Sequence, residues 1–416
     1  MLISPIITQS SGQDSAGHEG LDNILRAVRT HLGMDVGFIS EFREGRRVFR
    51  HVEADLGKKC IEIGASDPLN ESYCQLVVDG KLPRLIRDPR DHPITAQFAV
   101  TEALPVGAHL SIPITLRDGQ VYGTFCCFSF APDRSLTDRD LATMEAFAQV
   151  AANLIQASID SDQGRQSKLS KVREVLRSRN FHIVYQPAVR VDAQRLEFVE
   201  ALTRFRSKPY QQPDRWFAIA AEVGLGVDLE LLAIQMALLG LKHVAPATAL
   251  SLNVSPHVIL ADDFRPILEG APLQRLILEI TEHETVANYE ALMRVLAPLR
   301  SRGLRIAVDD AGAGHSTFRH ILKIRPDLIK LDISLIQHID SDPDRRALAT
   351  ALIAFSREIG SELVAEGVET DAEFNTLTKL GVNIFQGYLF SEPLPASALD
   401  AFTTTSFRSK PASSRV

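Results

Sequence analysis

Between residues 181 and 390 the sequence repeatedly runs short and mostly apolar, then ends in a side chain that can hold a cation or handle a proton. The run 196–199 leads into Glu200, 249–252 into Asn253 and 276–278 into Glu279. The run 306–308 leads into the pair Asp309 and Asp310, and 328–329 into Lys330 with Asp332 beyond. Finally 363–365 precedes Glu366, and 384–385 precedes Gln386. Hard cations such as Mg²⁺ and Mn²⁺ take oxygen ligands, so Asp, Glu and Asn suit them, and this region carries no cysteine. The chemistry such a set supports is the binding of metal ions. Taken singly, each acid reads as a solvated strand end or a salt bridge. The ordered set points to catalysis, because scattered surface acids do not occupy one strand terminus after another.

Those side chains need a scaffold. A short apolar run flanked by helical periodicity reads as a buried parallel strand, and acids at the carboxyl ends of such strands share one face of a barrel. Strands are expected at 181–189, 196–203, 248–253, 275–281, 304–309, 327–332, 361–366 and 383–389, with helices at 214–242, 288–302, 344–359 and 371–380. This is an α/β pattern of (β/α)8 type and size. Residues 190–195 are too few for a crossover helix, so the first two strands should be antiparallel neighbours.

Upstream, residues 21–155 open with a helical pattern (Leu21, Ile24, Leu25, Val28, Leu32) and continue with strands at 36–40, 47–53, 107–115 and 121–130. Asp118-Gly119 supplies a tight hairpin turn between the last two. A helix begins at Thr137, an N-cap with Asp140 three residues on. An antiparallel sheet bracketed by helices makes an α+β module. Leu141, Met144, Ala148, Ala151 and Ile155 recur three and four apart, which fits either a two-helix coiled coil or packing on the module itself. A break is expected near Gly164. The domain division expected is a polar tail at 1–18, the first module at 19–157, a linker at 158–170, the barrel at 171–402 and a second tail at 403–416.

The 416 residues carry 45% hydrophobic and 23% charged side chains and a net charge of −7. That composition suits a globular protein and argues against a general nucleic-acid or membrane-surface binder. No stretch approaches the roughly 18 apolar residues of a membrane span, so a cytoplasmic location is expected. Cys60, Cys74, Cys126 and Cys127 fit no zinc spacing and read as reduced core thiols, with Cys126 and Cys127 on opposite faces of a strand.

The first module resembles a GAF sensory domain, most clearly from Pro105 to Ala148. Such domains bind cyclic nucleotides, tetrapyrroles, haem or other small ligands, or serve as dimerisation platforms. Cys74 is followed by Gln75 rather than His, which argues against a bilin. The resemblance implies an unidentified small ligand among strands 36–53 and 107–130.

Residues 171–402 resemble the EAL-domain phosphodiesterases that hydrolyse cyclic di-GMP. The matching motifs are Tyr185-Gln186-Pro187, Glu200-Ala201-Leu202-Thr203-Arg204, Asn253-Val254-Ser255 and Glu279-Ile280-Thr281-Glu282. They continue with Asp309-Asp310-Ala311-Gly312, Lys330-Leu331-Asp332, Glu366-Gly367-Val368-Glu369-Thr370 and Gln386-Gly387-Tyr388. The resemblance implies a TIM-like barrel with one antiparallel strand, two Mg²⁺ or Mn²⁺ ions and linear pGpG as product. Glu200, Asn253, Glu279 and Asp309 are implied to hold the first ion, with Asp309 bridging to a second completed by Asp310 and Glu366. Lys330 is implied beside the attacking water with Asp332 behind it. Because a lysine accepts a proton only when desolvated, Lys330 reads as an orienting cation, with Glu366 or hydroxide itself as base. Gln186, Arg204, Gln386 and Tyr388 are implied substrate contacts, and Glu282 and Glu369 supports of the metal ligands. Relatives usually carry Phe where Ala311 stands and Tyr or Ser where His315 stands. Barrel pairing in relatives, together with the seam from Leu141 to Ile155, implies a homodimer. The alternative is a catalytically silent cyclic di-GMP receptor. Silent relatives usually lose Glu200, one of the Asp pair or Lys330, and all are present here.

Overall fold

The computed structural model describes residues 12–55, 57, 61–97, 106–280, 288–311 and 317–399, in two units, Met1–Gln166 and Ser167–Val416. Each unit has its own sheet.

The first unit's sheet has the order β3-β2-β1-β6-β5-β4 and is antiparallel throughout. Its strands are β1 (Val36–Arg43), β2 (Arg46–Ala54), β3 (Ser66–Pro68), β4 (Leu85–Ile86), β5 (Ala108–Thr115) and β6 (Val121–Ser129). Gly119 takes φ +86° at the expected hairpin turn, where a side chain would be strained, and the Leu116 N–H closes the turn on the Gln120 carbonyl at 2.9 Å. Period-two alternation gives the sheet two different faces. Leu110, Ile112, Phe125 and Cys127 pack on one face against Leu25 and Val28 of the helix Gly12–His31. Met144, Ala148, Ala151 and Ile155 are buried in that same core. The three-four seam is thus used inside its own module, which decides between its two readings and removes one motive for a coiled-coil dimer. Thr137 donates backbone and hydroxyl hydrogen bonds to Asp140, each at 2.8 Å, and the helix Asp138–Ser178 starts there. It then runs unbroken through Gly164, where a break was expected. A single glycine costs a helix only about 1 kcal/mol relative to alanine, which the propagation of a 41-residue helix absorbs.

In the second unit, β7 (Phe181–Arg190), β8 (Arg195–Phe205), β9 (Ala249–Val254), β10 (Leu276–Ile280), β11 (Arg305–Ala311), β12 (Leu328–Leu331), β13 (Glu362–Ala365) and β14 (Ile384–Gln386) form a closed barrel. The strands β8 to β14 are parallel to one another, whereas β7 is antiparallel to both β8 and β14 and closes the ring. The short 190–195 connection left β7 no other way to pair. Helices on the outside cover a broad apolar core drawn from the outward side chains of the strands. Ala188, Phe198, Ala249, Ile277, Ala307, Leu328, Val364 and Ile384 form a separate buried cluster with one member from every strand. One residue per strand in one cluster is an interior layer of the barrel, here an apolar floor. Among the described residues no helix is long and apolar enough to cross a membrane.

Candidate active site

Side chains on a strand return to the same face every second residue. Stepping two residues from the floor toward the carboxyl ends of the parallel strands reaches Glu200, Ser251, Glu279, Asp309, Lys330, Glu366 and Gln386. On the reversed strand β7 the same step reaches Gln186. The layer above the apolar floor is therefore polar on every strand, and it contains half of the residues singled out from sequence. Ser251 was not among them, although its position two residues before Asn253 was a usable signal. Its hydroxyl donates to the Glu279 carboxylate. Glu200 and Arg204 share the inward face of β8, four residues apart.

Lys330 stands at the centre, 1% exposed. Its Nζ lies 2.6 Å from Glu279 Oε2, 2.6 Å from Glu366 Oε1, 3.3 Å from Asp309 Oδ1 and 3.4 Å from Glu200 Oε2. Burial opposes its charge, but the charges of Asp309, Glu200, Glu279 and Glu366 outweigh burial and hold the ammonium well above its ordinary pKa. That direction favours the charged form of Lys330. The acids around it are unequal. Burial, reinforced by the charge of Glu200, pushes Glu279 up to about 8 although Lys330 opposes the shift. Burial likewise raises Glu366 well above the usual carboxylate range. For Glu200 burial also opposes ionisation, but Lys330 and hydrogen bonds from Asn253 and Gln386 prevail and lower its pKa. Asn253 donates its Nδ2 to Glu200 Oε1 at 2.9 Å, so its amide oxygen is the atom that could ligate an ion. Gln386 donates to Glu200 Oε2 at 2.6 Å, and its own Oε1 is a buried acceptor with no hydrogen-bond partner.

Asp309, Asp310 and Glu366 bring carboxylate oxygens within 4.8 Å of one another, close enough to share an ion. Adjacent strand residues normally point to opposite faces, and the exception has a backbone cause. Asp310 takes φ +57°, a left-handed conformation that Asp tolerates better than most residues, and its N–H donates to Asp309 Oδ1 at 3.0 Å. β11 accordingly loses its regular register with β12 between Val308 and Ala311.

Other expected residues make contacts of their own with the protein. Asp332 was expected close behind Lys330 in the chemistry. Its carboxylate accepts the Ser334 N–H at 2.9 Å and caps the helix Ile333–Ile336. Glu369 is exposed, and its backbone N–H donates to Glu373 Oε2 at 3.1 Å. Arg204 donates to the Thr203 carbonyl at 2.9 Å, Gln186 donates to the Ser391 carbonyl at 3.4 Å, and Tyr388 is half exposed. Glu282, Gly312 and His315 lie outside the described residues.

The turn after Gln386 depends on a glycine. A methyl group at Gly387, with φ +155°, would lie 2.2 Å from the Val368 carbonyl oxygen, a backbone atom that cannot move aside alone. Gly387→Ala is expected to destabilise the barrel by roughly 1–3 kcal/mol through strain and to pull Gln386 away from Glu200. Denaturant unfolding checks this, and a variant with the wild-type midpoint would show that the close approach is not required.

A family model described as EAL domain matches residues 169–393, more than half of the chain. The chain belongs to the EAL domain family. A second model, GAF domain, matches residues 18–156. The EAL region is similar to the probable cyclic di-GMP phosphodiesterase PdeD of Escherichia coli K12, with 32% identity over 241 residues, covering 55% of this chain and 45% of that protein. It is also similar to the cyclic di-GMP phosphodiesterase NbdA of Pseudomonas aeruginosa PAO1, with 31% identity over 244 residues, covering 56% of this chain and 31% of that one. The chain thus spans less than half the length of these two relatives. Among solved structures, the PaMucR phosphodiesterase in complex with c-di-GMP aligns with a TM-score of 0.50 and 29% identity, covering 56% of this chain and 99% of that one.

Proposed function

We propose that this EAL protein hydrolyses cyclic di-GMP to linear pGpG with two divalent cations, Mg²⁺ or Mn²⁺, and that its GAF unit adjusts the rate. The observation that carries the reading is a charge imbalance. Glu200, Glu279, Asp309, Asp310 and Glu366 oppose a single ammonium, Lys330, leaving four uncompensated negative charges when all are ionised, the charge of two divalent cations. Buried charge in such excess is unfavourable unless ions or protons compensate it. Glu200, Asn253, Glu279 and Asp309 would hold one ion, and Asp309, Asp310 and Glu366 the other. When bound, the ions activate a water and neutralise the phosphate and the departing alkoxide.

The protein's own groups supply orientation. Lys330, fixed among four carboxylates, directs its charge at the water, and Glu366 accepts the proton. Water adds to one phosphorus, the bond to the 3′ oxygen breaks, and the product carries a 5′-phosphate and a 3′-hydroxyl. Gln186, Arg204, Gln386 and Tyr388 surround the substrate, whereas Asp332 holds the turn after β12. Homodimerisation rests on the family resemblance, since the 141–155 seam is internal to the GAF unit. Purified protein incubated with cyclic di-GMP and Mg²⁺ or Mn²⁺, with products separated by chromatography and weighed, tests the proposal. Linear pGpG is expected, and intact nucleotide bound without turnover would identify a silent receptor.

The raised carboxyls give the site a pH dependence. Between the ordinary glutamate pKa of 4.5 and about 8, the folded metal-free protein keeps a proton on Glu279 that the unfolded chain has lost. Its stability should therefore fall as pH rises through that window. An ion must displace the same proton, so affinity for Mg²⁺ or Mn²⁺ should rise over the same range. Calorimetric titrations at about pH 6 and about pH 8.5 check this, and equal affinities would contradict the shift.

A further inference from the structure

The GAF unit contains a second cluster of ligand-type side chains. Cys74, on the helix Tyr73–Val78, meets Cys126 on β6, with the two sulfurs 3.4 Å apart. A ring nitrogen of His109, on β5, lies within 4.8 Å of both. Ser111 is opposite Cys126 in the ladder, so His109, two residues before it, shares the same sheet face. Both sulfurs are fully buried, His109 is 3% exposed, and its Nδ1 has no hydrogen-bond partner.

The surroundings are unusual for a core. Arg47 donates to Cys74 Sγ at 3.1 Å, is itself buried, is paired with Asp67, and lies over the Phe49 ring at 4.7 Å. The Ser111 hydroxyl lies 3.2 Å from Cys126 Sγ, Cys126 donates to Thr124 Oγ1 at 3.2 Å, and Ser40 meets Thr124 at 2.9 Å. Two neutral thiols need no such company. A guanidinium donating to one of two touching sulfurs, with a hydroxyl beside the other, suits sulfurs that carry negative charge, as metal-bound thiolates do.

We propose that Cys74, Cys126 and His109 form a binding site for a Zn²⁺-like transition-metal ion, separate from the barrel's oxygen-ligand site. A tetrahedral ion with sulfur at about 2.3 Å and nitrogen at about 2.0 Å sets ligand atoms roughly 3.5–3.8 Å apart, and here the two sulfurs stand 3.4 Å apart with the ring nitrogen within 4.8 Å of both. The two thiolates neutralise the ion, and the Arg47–Asp67 pair adds no net charge. Three protein ligands among the described residues leave a fourth position for a small donor molecule. Linear cysteine spacing concealed this site because its ligands come from a helix and two strands, and the apparent isolation of Cys74 from Cys126 ends only when β6 passes beneath the helix.

The test uses full-length protein with its barrel saturated in Mg²⁺, titrated with Co²⁺. A near-ultraviolet sulfur-to-cobalt charge-transfer band is expected, which carboxylate ligands cannot produce. Cys126→Ser and Cys74→Ser should each remove at least half of the band, and Cys127→Ser, on the opposite face, should leave it intact. Zinc-edge X-ray absorption of the wild type, which depends on no variant folding, should show two sulfurs and at least one nitrogen. Absence of the band in the wild type, its survival in Cys126→Ser, or a Cys74–Cys126 disulfide in the purified protein would overturn the assignment.

Discussion

Glu200→Ala is expected to lower kcat/KM by at least about 10²–10³-fold, a loss of roughly 3–4 kcal/mol of transition-state stabilisation. Glu200 is proposed to ligate one ion and also organises its neighbours. It accepts from Asn253 at 2.9 Å, from Gln386 at 2.6 Å and from Lys330 at 3.4 Å. Removing it takes that acceptor from Asn253 and Gln386 and one of four carboxylates from Lys330, so an ion ligand and the orientation of two amides are lost together. The carboxamide variant Glu200→Gln separates these contributions, because it keeps the shape and one acceptor oxygen but not the charge. Steady-state kinetics on folded variants decides the matter. Near-wild-type turnover in Glu200→Ala would show that the catalytic centre lies elsewhere.

Lys330→Met should produce the largest combined effect. The side chain is buried and ion-paired to Glu200, Glu279, Asp309 and Glu366. Taking one partner out of a buried ionic cluster costs about 3–5 kcal/mol, which for a unit of this size lowers the thermal midpoint by roughly 10 °C. Turnover should fall by at least about 10²-fold, because no other described residue of the polar layer carries a positive charge to orient the water. Divalent ions should return part of the lost midpoint by supplying the missing charge, without restoring the rate. Lys330→Arg should not rescue activity, since a planar guanidinium cannot occupy a space shaped for a point charge. Calorimetry of the metal-free variants checks the stability effect, and an unchanged midpoint would mean that the carboxylates are neutral and the ion pairs nominal.

Much of the barrel was legible because its chemistry is periodic. Each strand reads as apolar residues closing in a polar one, and the alternation that places Phe198 in the floor also places Glu200 above it. Residues 190–195 were too few for a helix, which gave the antiparallel direction of β7 without further information. Ser251 stayed hidden inside an apolar run, where a small polar residue does not interrupt the pattern. Asp332 is harder to read from sequence, because a carboxylate after a strand serves equally well as a ligand or as a helix cap, and the cap on the Ser334 N–H depends on local geometry. The 141–155 seam was ambiguous for a similar reason. Apolar residues three and four apart mark a buried stripe but do not name what buries it. Gly164 was overrated as a breaker, since propensity is weak against the cooperativity of a long helix. The Cys74, Cys126 and His109 cluster was out of reach of spacing arguments altogether, because it depends on strand register.

The most direct test of the central claim is turnover of cyclic di-GMP by protein stripped with a chelator, followed as Mn²⁺ is restored. No pGpG is expected without the ion, activity should return on its addition, and no such return is expected in Glu200→Ala. Undiminished pGpG formation in excess chelator, or cyclic di-GMP that binds the Mn²⁺-loaded protein and is never cut, would contradict it.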